Sequence, residues 1–158
     1  MKTFKEYLKS LGACQPAVAW AGNKPIEQVV AECHRGDWLL WLAKKCGVEL
    51  QPLTLAKGHC ANTVRHLMTD ERSLKAVDAA IAFGEGKATR EELDDAADAA
   101  FASAYAADAS AYAADASASA ADGALVYPIV ANQQETADIC RKYIGELIIQ
   151  KVNQHLTP

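Results

Sequence analysis

Five large apolar residues in succession, Trp38-Leu39-Leu40-Trp41-Leu42, stand between Asp37 and the Ala43-Lys44-Lys45 that follows. No other stretch restricts the fold so strongly. Asp37 is placed to cap a helix, Lys44 and Lys45 fall where the negative end of its dipole would lie, and Gly47 follows as a stop. Wound as a helix, the segment has almost no polar face, so it requires burial on several sides and belongs at the centre of a core.

The flanking sequence supplies partners with helical periodicity. Phe4, Tyr7, Leu8 and Leu11 share one face of a short helix that Thr3 caps and Gly12 ends. Pro16 opens a short turn through Trp20. Pro25 stands at the first position of a helix carrying Ile26, Val29, Val30 and Cys33. From Pro52 to Met68 the apolar positions Leu53, Ala56, Cys60, Val64 and Leu67 recur every three to four residues, with Gly58 as a weak point. Thr69 or Asp70 starts a helix that turns Leu74, Val77, Ala80 and Ile81 inward and closes at the Gly-Glu-Gly of 84–86. The segment ALVYPIV at 124–130, with Pro128 inside it, reads as a connector rather than a strand. A last helix over Gln133 to His155 places Ala137, Cys140, Ile144, Leu147, Ile148 and Val152 on one side.

Between these lies a seven-residue repeat, SAYAADA, SAYAADA and SASAADG over 103–123. Thr89 and Glu92 form a capping box before it, and alanine at this density favours helix strongly. An unbroken helix over 89–122 would be about 50 Å long, against a radius of gyration near 15 Å for a compact domain of this size. A break or a bend near the serines of 103–110 is therefore expected. The fold expected is all-α, a single helical domain over 1–158 built as a bundle of about seven to eight helices with an alanine-rich region.

Net charge is only −4, but it is segregated. Residues 1–90 carry 13 basic and 9 acidic groups, a net of +4, whereas 91–124 carry 8 acidic groups and no basic one. Such a dipolar surface can steer a charged partner. No apolar run reaches membrane-spanning length, and the N-terminus lacks the apolar run of a signal peptide. Five cysteines at irregular spacing fit reduced core thiols rather than a disulfide framework. A cytoplasmic protein is expected.

Candidate chemistry is sparse. Cys33-His34 and His59-Cys60 hold the residue types of a zinc site, but adjacent helical residues point about 100° apart and the usual ligand spacing is missing. No third group is recognisable that would orient a cysteine–histidine nucleophile pair. Asp70 and Glu71 have a sufficient role at a helix start, beside Arg72. Trp38 and Trp41 could floor an aromatic pocket, although their leucine-rich setting favours core. No phosphate-cradling glycine loop, HExxH or GxSxG occurs, and the modest basic excess is too dispersed for a nucleic-acid face. No catalytic residue, cofactor or metal is assigned. The remaining candidate surface is the repeat itself: on a helix Asp108, Asp115 and Asp122 line one stripe and Tyr105 and Tyr112 another, an acidic ridge suited to a protein partner or simply a solvated face.

The string GDWLLWLAKKCG at 36–47, followed by KGHCANTVRHLMTDERSLKAVDAAIAFGEG at 57–86 and the alanine-rich tract, resembles family five of the immunity proteins in bacterial polymorphic toxin systems. Gly36, Asp37, Trp38, Leu40, Trp41 and Leu42 carry the likeness, with Cys60, Ala61, Asp70, Arg72, Leu74, Ala76 and Gly86. The resemblance implies an all-helical, non-catalytic protein that neutralises a cognate toxin by binding it; a basic nuclease would complement the −8 segment. Two other readings stand beside it. One is self-assembly into a homo-oligomer through the alanine seam, and the other is a metal-dependent hydrolase built on the Cys/His pairs.

Overall fold

A computed structural model describes residues 2–99 and 126–157, and every regular element among these is helical. Helix α1, Phe4–Ser10, opens on Thr3 as the periodicity predicts: its side chain accepts from the Glu6 amide, and the Glu6 carboxylate accepts from the Thr3 amide. Phe4, Tyr7 and Leu8 are buried. Helices α2, Gln15–Ala21, and α3, Ile26–Glu32, follow as short pieces. Pro25 is the residue before α3 rather than its first residue, one position earlier than the spacing predicts.

Helix α4, Gly36–Cys46, is the apolar segment, and it packs against α5, Leu50–Asn62, α8, Val126–Cys140, and α9, Glu146–Leu156. Leu39, Leu42, Ala43 and Cys46 are buried, joining Ile26, Ile144, Ile148 and Val152 in one continuous core. The position of α4 is central as expected, but Trp38, Leu40 and Trp41 are only half-buried at the margin of that core. Nor does Asp37 cap the helix. Arg35 is the cap residue, and Asp37, on the first turn, holds the Arg35 guanidinium with two hydrogen bonds.

Glycines explain how the helices approach. A Cβ at Gly36 would land on both the side chain and the backbone of Thr136 of α8, so α4 and α8 approach here nearly backbone to backbone. Gly58 looks like a flaw in α5 by propensity. In the fold it is buried against α6, Glu71–Gly84, where a Cβ would stand 2.9 Å from Ile81 Cγ1. Close packing outweighs the roughly 1 kcal/mol that glycine costs a helix interior.

Two predicted boundaries differ. Helix α5 ends at Asn62, short of Met68, and a 3-10 turn spans Arg65–Leu67. Thr63 is the reason: its hydroxyl donates to the Cys60 carbonyl at 2.7 Å and accepts from Asn132 Nδ2 at 2.8 Å. The predicted connector at 124–130 is helical from Val126. The last helix runs without a break through the predicted Gln133–His155, carrying a π-helical turn, Arg141–Gly145, between α8 and α9.

Helix α6 starts at Asp70, whose carboxylate accepts from the Arg72 amide. It lies along α5 and buries Val77. A further helix, α7 over 90–99, opens on the predicted capping box of Thr89 and Glu92. The expected break or bend in the alanine-rich stretch falls outside the described residues. Among the described residues no helix is long and apolar enough to cross a membrane.

Candidate functional site: a tryptophan-lined hollow

The half-buried indoles of α4 do not merely close the core. With α1, α2 and α3 they enclose a hollow of about 440 Å³ whose lining is mainly apolar. Trp38 and Trp41 reach it from one face of α4, three residues apart, and Trp20 reaches it from α2. Phe4 and Leu8 of α1, with Val29 and Cys33 from α3 and its end, form the floor and walls. Arg35 and Asp37 are the charged groups in the lining, and Cys14 contributes an exposed thiol.

Each indole is held in place by charge. Lys24 Nζ lies 3.9 Å from the Trp20 ring centre, bonded also to the Trp20 carbonyl at 3.3 Å and paired with Glu32 at 3.3 Å. The Arg35 guanidinium lies 4.8 Å over Trp38, and Lys45 Nζ lies 5.9 Å over Trp41. Such contacts contribute about 0.5–1 kcal/mol each at exposed sites. Trp20 and Trp38 meet at 6.1 Å, and His34 stands edge-on to Trp20 at 5.9 Å. The three rings thus pack against the core and their cationic neighbours.

The hydrogen bonds from Arg35, together with its charge, hold the Asp37 carboxyl below the usual carboxylate range, and Asp37 raises Arg35 in return. Arg35 stays a cation over Trp38. Burial pushes the Cys33 thiol up, so the hollow holds this sulfur as an apolar wall rather than a thiolate. What the arrangement offers is a preformed apolar socket with an ion pair at its edge, within the size range of small-molecule and side-chain pockets.

The two Cys/His dipeptides are not brought together. Cys33 Sγ donates to the Arg35 carbonyl at 3.4 Å and His34 faces Trp20 and Trp38, whereas His59 stacks on Tyr143 at 4.6 Å. Cys60 instead meets Cys140, with 3.9 Å between sulfurs. Among the described residues no group of three or more His, Cys, Asp or Glu side chains is placed to hold a metal ion. Asp70 is engaged with Arg72 and Glu71 with Lys75, as a helix start requires. Tyr105, Asp108, Tyr112, Asp115 and Asp122 lie outside the described residues. The reading of Trp38 and Trp41 as core gives way to one in which they line a hollow. Trp20 is invisible as a site residue in the sequence, because only folding brings it to α4; the one signal is a cation within four residues of each tryptophan, Lys24, Arg35 and Lys45.

No protein-family model matches the chain, nor does any curated protein or solved structure.

Proposed function

We propose that this chain is a non-catalytic binding protein that receives an apolar side chain of a protein partner in the tryptophan hollow. The arrangement of Trp20, Trp38 and Trp41 carries this reading, because tryptophan and arginine are among the residues that dominate protein interfaces. Ordering such rings on binding costs entropy; here the cations and the core have already fixed them. The resemblance of Gly36–Leu42 to the immunity family names the partner in this proposal as a cognate toxin, held by direct contact. The acidic segment 91–124 serves in it as a steering element for a basic toxin.

The test is co-purification of the chain with its partner from the native host, followed by calorimetry on the captured protein. Trp38→Ala is expected to weaken binding by about 2 kcal/mol, about thirtyfold in Kd. Absence of binding, or an unchanged Kd in the variant, would overturn the proposal.

A further inference from the structure

A different observation, independent of the hollow, concerns the pair of sulfurs under α4. We propose that Cys60 and Cys140 form an oxidisable dithiol that a hydroperoxide converts to a disulfide linking α5 to α8. The two thiols come from residues eighty positions apart in the sequence, yet their sulfurs are 3.9 Å apart in the fold. The remaining contacts of these sulfurs are long ones to carbonyls, Cys60 to Thr136 and Cys140 to Gly36, both at 3.7 Å. Cys33 and Cys46 are otherwise engaged, donating to the carbonyls of Arg35 and Ala43. Closing the pair to a disulfide bond of about 2.05 Å asks for a side-chain rotation and a small approach of α5 to α8.

The two thiols are inequivalent in a way that orders the chemistry. Cys60 is 9% exposed and Cys140 is 0% exposed, so a small oxidant meets Cys60 first. The contact between the two sulfurs lowers the Cys60 thiol, while that same contact and burial raise Cys140. Cys60 as the thiolate attacks one oxygen of hydrogen peroxide; the O–O bond breaks, hydroxide leaves, and a sulfenic acid forms. The Cys140 sulfur then attacks the Cys60 sulfur, its proton passes to the departing hydroxyl, and water leaves. Both thiols are oxidised by two electrons in all, and one peroxide is reduced to two waters once the released hydroxide is protonated. Cys140 sits where a resolving thiol must sit to stop further oxidation of Cys60.

The bond would close a covalent ring that contains the whole acidic stretch 91–124. It would tie down both sides of that stretch through α5 and α8. The fold therefore holds a device by which oxidation locks the α5–α8 joint, at the point where Gly36 brings α4 against Thr136.

The experiment treats the full reduced chain, folded, with hydrogen peroxide, and follows intact mass, non-reducing peptide maps and the thermal midpoint. The expected result is loss of two hydrogens, a Cys60–Cys140 cross-linked peptide, and a rise in midpoint that dithiothreitol reverses. Cys14→Ser, which removes the exposed thiol, should leave this unchanged, and Cys140→Ala should leave oxygen on Cys60 instead of a cross-link. The map of the unmutated chain decides the matter even where a core variant fails to fold. Oxygen added to Cys60 without a cross-link, a cross-link through Cys33, or no reaction at Cys60 at all would each overturn the proposal.

Discussion

Arg141 Nη1 donates to the backbone carbonyl of Cys33 at 2.6 Å and to that of Val30 at 3.2 Å. Those carbonyls belong to the end of α3, where the last turn leaves acceptors without helical partners. Arg141 opens the π-helical turn between α8 and α9. One guanidinium therefore fixes the loop that carries Cys33, His34 and Arg35 to the edge of the hollow.

Replacing Arg141 with Met keeps the aliphatic stem and removes these bonds. Hydrogen bonds to a charged group contribute about 1.5–3 kcal/mol, so Arg141→Met should lower unfolding stability by about that amount in urea titration. A midpoint equal to wild type would show that water replaces the guanidinium without loss.

Gly36→Ala makes a second test, aimed at the α4–α8 approach. Alanine is the better helix former by about 1 kcal/mol, so propensity alone predicts a gain. Because the new methyl would meet Thr136, overpacking should dominate and cost about 1–3 kcal/mol instead. Thr136→Ala in the same chain should recover part of that loss, and a denaturation cycle over the four proteins measures the coupling. Additive effects would mean that the clash lies with the Cβ and backbone of residue 136, which alanine keeps.

These two residues also mark what could be read from the chain and what could not. The apolar faces were legible because burial repeats with the helical period. The spacing puts Ala137, Cys140, Ile144, Leu147, Ile148 and Val152 on one face, and all but Leu147, which is half-buried, are fully buried. Capping at Thr3, Asp70 and Thr89 was legible because the signal lies within three residues. Arg141 to Cys33 spans more than a hundred positions, and the π turn has no pattern of its own. The same holds for the site. Trp38 and Trp41 were visible as a pair, but a leucine-rich setting does not tell which face of α4 meets Trp20, and that is decided by how α2 docks. Gly36 and Gly58 looked like punctuation and a weakness because their reason is the neighbouring helix.

Acid should loosen the edge of the hollow. Asp37 titrates below the ordinary aspartate value of about 3.9 because Arg35 binds its ionised form. A carboxyl depressed in the folded state adds stability above the unfolded pKa, and loses it as pH falls through the folded one. The contribution is therefore complete at neutral pH and declines from about pH 4 downward. Asp78 and Glu32 shift in the same direction, through Arg65 and through Gln28 and Lys24 respectively, so the whole chain should lose thermal stability on acidification. Asp37→Asn should flatten only part of that decline, since the pair is largely exposed and screened. Melting curves between pH 2.5 and 7 check it, and identical slopes for both proteins would remove Asp37 from the account.

Filling the hollow separates its role in binding from its role in folding. Ala17 of α2 is half-buried in the lining. Leucine there is as good a helix former as most residues, and its side chain would enter apolar space that already exists rather than displace packed atoms. Ala17→Leu should accordingly leave stability unchanged or raise it by about 1 kcal/mol, the gain from covering one or two methylene groups. If a partner seats a side chain in this space, the same substitution should weaken its binding at least tenfold, about 1.4 kcal/mol. Equilibrium unfolding and calorimetry on the one variant give both numbers. Full stability with wild-type affinity would mean that the partner does not use the hollow, and that Trp20, Trp38 and Trp41 serve the fold alone.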